Sequence, residues 1–198
     1  MLTLVPLWLA CGDPSSSDSG VTEAEADTDA DADTDTDTDT DTDTDPHEIG
    51  RDLPGFALVD INPSSATYGE IVSSEDLDGS TYALIFLDSR CLACGEVVVD
   101  LWAEFQEHPA WWEGLPTFAV QSVGGGQAPE TLDNMIEGHD MPYLQDTEDT
   151  ALWRDYEALN HDLYAVSEEG TLDAWLPLYS WPDDLVVFTD YMTDRFGP

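Results

Sequence analysis

Hydrophobic and polar positions first fall into a regular pattern at residue 56. "FALVDIN" (56–62) alternates apolar and polar side chains and stops at Pro63, as a strand with one covered face does. A single helical turn is expected over 74–77. "TYALIFLD" (81–88) is almost continuously apolar, the signature of a strand buried on both faces. Beyond it Val97, Leu101 and Phe105 recur every four residues and Val98 pairs with Trp102, which predicts a helix with one face in a core. Pro109 and Gly114 in "HPAWWEG" are expected to end that helix. "TFAVQSV" (117–123) reads as a strand stopped by Gly124-Gly125-Gly126, followed by short helices over 129–137 and 149–159. "DLYAVSEEGTLDAWL" (162–176) reads as a hairpin turning at Glu169-Gly170. The tail, 182–196, fits a closing helix or, through "LVVF", a last strand. The order β, βαβ, α, ββ, α predicts an α/β domain, a central mixed sheet with helices on both faces, over residues 49–198.

Before residue 49 the texture differs. Residues 12–48 are dominated by an Asp-Thr alternation with the period of a strand but no apolar face, so no core can form. Mutual repulsion predicts a disordered, extended acidic linker. Residues 1–11, "MLTLVPLWLAC", form a short apolar run ending in Ala10 and Cys11. This resembles the end of a bacterial lipoprotein signal, which implies lipid attachment at Cys11. About nine apolar residues are too few for a membrane-spanning helix.

The net charge is −40, with 44 acids against four arginines (Arg51, Arg90, Arg154 and Arg195) and no lysine. Fifteen of the acids precede residue 49, so the domain alone still carries −25. Such a field repels phosphates and anionic headgroups, which excludes nucleic acid as a partner and leaves the membrane reachable only through a lipid.

Of three cysteines, lipidation of Cys11 leaves the pair Cys91-Leu-Ala-Cys94, between the buried strand and the amphipathic helix. An export signal places that pair where disulfides persist. Cys91 is expected at the helix N-terminus, where free N–H groups and the dipole favour a thiolate, with Arg90 adding positive charge nearby and Glu96 answering the same dipole. Cys94, one turn on, is within reach to attack a mixed disulfide. Three readings follow: a working dithiol, a structural disulfide in a redox-inert interaction module, and part of a copper or zinc site. The last needs further ligands, and the histidines available are His47, His108, His139 and His161. His161 is the candidate metal ligand among them, although its default is a surface loop.

With "DLPGFALVDINPSS" (52–65), the C-x-x-C after a buried strand, and "LYAVSEEGTL" (163–172), the chain resembles the thioredoxin-fold superfamily, in its extracytoplasmic thiol–disulfide oxidoreductase and redoxin branch. The resemblance implies a leading hairpin at "LPGFALVD" and disulfide exchange with exported protein thiols or disulfides in the bacterial envelope. It also implies an attacking role for Cys91, a resolving role for Cys94, a separate protein that recycles the site, and no cofactor. One departure stands out: the cis-proline such sites carry before the hairpin strand falls here at Asn160, His161 or Asp162. A peroxidatic site would want Thr and Pro ahead of a single cysteine, and neither is present.

Overall fold

The computed structural model describes residues 45–91, 93–124 and 129–198. Cys11, the signal-like run 1–11 and the linker up to residue 44 lie outside them, as does Leu92 between the two cysteines. The last residues of the linker span are described, and they pack: the His47 ring stacks on Trp175 at 3.6 Å between centroids and its Nε2 pairs with the Tyr164 hydroxyl at 3.1 Å.

Among the described residues, seven strands form one mixed sheet. They are β1 (Ala57–Asp60), β2 (Ile71–Ser73), β3 (Tyr82–Phe86), β4 (Thr117–Gln121), β5 (Tyr143–Gln145), β6 (Asp162–Val166) and β7 (Leu172–Pro177), in the order β2-β1-β5-β4-β3-β6-β7. β3, β4 and β5 run parallel; β6 returns antiparallel beside β3, and β1 antiparallel beside β5. The helices are α1 (Cys94–Glu107), α2 (Pro109–Gly114), α3 (Pro129–Ile136), α4 (Leu152–Asp155) and α5 (Leu185–Phe196).

The unbroken apolar run of β3 has the expected consequence. Ala83, Ile85 and Leu87 point into one core with Val97, Val98, Leu101 and Phe105 of α1 and Phe188 and Met192 of α5. Tyr82, Leu84 and Phe86 point into a second core, with Leu58, Val120, Tyr156 and Tyr164. Alternate side chains of a strand face opposite sides of the sheet, so a central strand serving two cores must be apolar throughout.

Several expectations need correcting. Pro109 does end α1, but it also opens α2, because a proline at the first helical position gives up an N–H that has no partner there anyway. The helix expected over 149–159 shrinks to α4, whose first N–H groups, on Leu152 and Trp153, donate to the buried Asp146 carboxylate. Residues 74–77 form turns rather than a helix, and the segment just before them supplies β2, which pairs with β1 as a leading hairpin. "MPYLQD" contains β5, a strand too short to show a period. The tail is helical: α5 buries Phe188 and Met192 and leaves Val186 and Val187 exposed.

Candidate active site

The cysteines sit where β3 ends. Beyond Phe86 the chain passes Leu87 and turns: the Cys91 N–H donates to the Asp88 carbonyl at 2.8 Å, and the Cys94 N–H donates to the Cys91 carbonyl at 3.3 Å. Helix α1 therefore starts at Cys94, three residues later than the sequence implies, with Ala93 as an N-cap that offers no side-chain acceptor. Cys91 is in the turn ahead of the helix rather than its first residue. Cys91 is half-buried and Cys94 is 0% exposed, and both are free thiols. Burial, and after it the neighbouring Cys91, pushes the Cys94 thiol well above its ordinary range.

The register of β6 brings a third group to the pair. Ile85 lies opposite Leu163, and His161, two residues before Leu163, is thereby brought to the end of β3 that leads into the cysteines. The His161 N–H donates to the Phe86 carbonyl at 2.8 Å, and its own carbonyl accepts the Leu178 N–H at 3.0 Å. Its Nδ1 lies 3.1 Å from the Leu178 carbonyl, which only accepts, so Nδ1 carries the hydrogen. Nε2 then presents its lone pair to Cys91 Sγ, 3.5 Å away. His161 is 7% exposed rather than on the surface, and burial lowers its pKa. Its backbone is left-handed, with φ of 73°, an uncommon conformation for a residue with a side chain. It is one of the three positions where the cis-proline was expected; the cis bond among the described residues is Trp181–Pro182, and both of its residues line the groove described below.

Asn160, beside His161, ties the same region together. Its Oδ1 accepts the Asp88 N–H at 2.9 Å and lies 3.6 Å from Cys94 Sγ. Asp88 is the ion-pair partner of Arg90, whose Nε and guanidinium donate to it, and Ser122 donates from the end of β4. These bonds, that of Arg90 foremost, hold the Asp88 carboxyl down to about 2. Arg90 is thus committed to Asp88 and projects largely into solvent. Under the turn, the Ser89 N–H donates to Gln121 Oε1, and the buried Tyr143 hydroxyl bonds the Leu87 carbonyl at 2.8 Å.

A groove of about 530 Å³ opens beside Cys91, between α1, α3 and the loop ahead of α5. Arg90, Glu96, Val99, Met135, Trp181 and Pro182 are among its lining residues. Asp100 of α1 accepts the Trp181 indole N–H at 3.0 Å and so fixes one wall. Of the residues singled out in the sequence, Cys91, Arg90 and Glu96 line this groove, and Cys94 and His161 cluster with Cys91 at its edge. No sequence pattern marks Asp88, Gln121 or Ser122: Gln121 and Ser122 reach the turn only through the parallel pairing of β3 with β4, and Asp88 gains its Ser122 partner the same way.

A mixed sheet with helices on both faces and a C-x-x-C between the central strand and α1 defines a thioredoxin-fold domain. Comparison with solved structures shows that fold. The thioredoxin domain of a thiol–disulfide oxidoreductase from Bacteroides vulgatus superposes with a TM-score of 0.54 at 17% identity, over 73% of this chain and 96% of that one. A thiol:disulfide interchange protein from a Bacteroides species gives 0.55 at 16%, over 78% and 93%. A secreted disulfide oxidoreductase from Mycobacterium tuberculosis gives 0.53 at 12%, over 70% and 95%. No protein-family model and no curated protein matches the chain. Among the described residues, no helix is long and apolar enough to cross a membrane.

Proposed function

We propose that the chain is a thiol–disulfide oxidoreductase of the bacterial cell envelope, held to a membrane by lipid on Cys11 and exchanging disulfides with exported proteins. The observation that carries the reading is the unequal exposure of two adjacent free thiols: Cys91 faces the groove and Cys94 is sealed behind it. Activity of this kind is named for several structures of the same fold.

In the oxidising direction, a substrate thiolate attacks Cys91 Sγ of the Cys91–Cys94 disulfide. The S–S bond breaks and its electron pair leaves on Cys94, which burial returns to the neutral thiol by taking up a proton. A second substrate thiolate then attacks the substrate sulfur of the mixed disulfide and releases Cys91 as thiolate. The substrate has lost two electrons and the pair has gained two. In the reducing direction the same steps run backward: Cys91 attacks, and Cys94 gives up its proton to attack Cys91 Sγ and free the substrate. A second protein must restore the starting state in either case.

The test is the reduction potential of the pair in the full chain, read by thiol alkylation in glutathione and dithiothreitol buffers. A midpoint between about −120 and −270 mV is expected of a working exchange site. A midpoint below about −300 mV would mark a structural disulfide and end the proposal in favour of a redox-inert module. In parallel, Cys94→Ser is expected to accumulate mixed disulfides on Cys91, because the resolving sulfur is gone.

A further inference from the structure

Three soft or borderline donors meet at the head of α1. Cys91 Sγ, Cys94 Sγ and His161 Nε2 all lie within 4.8 Å of one another. The 3.5 Å between Cys91 Sγ and His161 Nε2 can be compared with the distance that two ligands of one ion require. Bonds of about 2.3 Å to sulfur and about 2.0–2.1 Å to nitrogen, at a tetrahedral angle, hold S and N about 3.6 Å apart. The histidine is already turned for the task. Its Nδ1–H is fixed on the Leu178 carbonyl, the outer hydrogen bond that ligating histidines make, so the free lone pair is the one aimed at the sulfurs. The left-handed backbone at His161, pinned at both N–H and C=O by neighbouring strand ends, keeps the ring in that position. Cys94 and His161 are buried, while half-buried Cys91 borders the groove and leaves an entry path.

From this geometry we infer that the reduced chain binds one thiophilic d10 cation, Zn(II) or Cu(I), through Cys91 Sγ, Cys94 Sγ and His161 Nε2. Two thiolates and one imidazole suit both ions. Binding breaks the two S–H bonds, forms two metal–sulfur bonds and one metal–nitrogen bond, and releases two protons to solvent without electron transfer. Three protein ligands would leave a tetrahedral ion its fourth position for an outside ligand. Formation of the Cys91–Cys94 disulfide uses both sulfurs and expels the ion, so uptake is gated by the redox state of the pair. The inference rests on the proposed function only in requiring that the pair can be reduced.

The test titrates the full chain anaerobically, reduced or oxidised, with Zn(II) and separately with Cu(I), each against a chromophoric chelator. The expected result is one equivalent taken up by the reduced chain and none by the oxidised chain, for at least one cation; the arm that succeeds identifies the ion. His161→Asn is the informative variant, because asparagine tolerates the left-handed backbone while removing the nitrogen ligand. It is expected to weaken uptake at least about tenfold with an unchanged far-UV circular dichroism spectrum. The inference falls if the reduced chain takes up neither ion, if His161→Asn binds like wild type, or if the Cys91→Ser/Cys94→Ser chain binds equally well through its acidic residues. Because this readout is stoichiometry and the test of the exchange reading is a potential, either can fail while the other stands.

Discussion

Nε2 of His161 lies 3.5 Å from Sγ of Cys91, although 70 residues separate them in the chain. Two strand pairings produce this contact. β3 delivers the cysteines at its C-terminal end, and β6, running the opposite way, begins at the same end, so whatever precedes β6 faces them. A proline there could neither donate its N–H to Phe86 nor offer a side-chain lone pair; histidine does both. The thiol partner thus follows from topology, and the chemistry from one residue choice.

Unequal exposure of the two thiols predicts unequal reactivity. In the folded, reduced chain iodoacetamide should modify Cys91 roughly tenfold or more faster than Cys94, since only the thiolate reacts and Cys94 is both buried and held as a thiol. Quenched time points read by peptide mass spectrometry check this. Equal rates under native conditions would contradict the arrangement, while in denaturant the rates should converge.

The Asp88 carboxylate anchors the turn that carries Cys91, through Arg90 and Ser122. Asp88→Asn keeps the shape but loses the charge, and should cost about 1–3 kcal/mol in urea unfolding near neutral pH. The pH dependence has a definite sign. The folded carboxyl titrates at about 2 against an ordinary 3.8, so its contribution is present above 3.8 and lost as pH falls through about 2. The difference between wild type and variant should therefore shrink on acidification; a gap that stays constant to pH 2 would mean the charge is not what stabilises the turn.

Much of this was legible before the fold was seen, and what was not has physical causes. β3, α1 and the β6–β7 hairpin announce themselves because each buries a long periodic face. β5 does not: three residues cannot show a period, and what holds it is the sheet edge offered by β4. The helix read over 149–159 is visible in the sequence but not its shortness, which the Asp146 carboxylate at its first N–H groups sets. In the site, Cys91 and Cys94 are visible through their spacing alone. His161 is suspected from counting back along the hairpin, but its burial depends on the β3–β6 register. Asp88, Gln121 and Ser122 lie at the ends of neighbouring strands, and no local pattern marks a strand end as functional.

Gly95, the residue after Cys94, marks where α1 and α3 touch. A Cβ there would meet the Asn134 carbonyl oxygen at 2.8 Å, a backbone atom that cannot swing aside. Gly95→Ala should therefore destabilise the fold by roughly 1–3 kcal/mol despite alanine's higher helix propensity. Asn134 and Met135 also line the groove beside Cys91, so the variant should alter the rate of exchange with protein disulfides more than with glutathione, which needs less of that wall. Urea unfolding and paired kinetic assays check both parts; a variant as stable as wild type would show that α3 gives way freely.

His139 is buried just beyond the C-terminal end of α3 and is fully engaged as a neutral ring. Its Nε2–H donates to the Met135 carbonyl at 2.6 Å, and its Nδ1 receives the Asn62 amide at 3.5 Å. Protonation would place an N–H against that amide N–H, and burial already lowers the pKa from 6.5. The unfolded chain therefore takes up the proton first as pH falls through about 6.5, so stability is whole above that value and declines below it. The slope from this one group reaches at most about 1.4 kcal/mol per pH unit. His161, also buried with a lowered pKa, acts in the same direction, so the decisive comparison is between wild type and His139→Gln. Urea unfolding from pH 8 to pH 5 should give the variant lower stability at pH 8 and a shallower decline below 6.5. Parallel curves for the two proteins would show that His139 titrates alike in both states and that its burial does not govern the acid side of the stability profile.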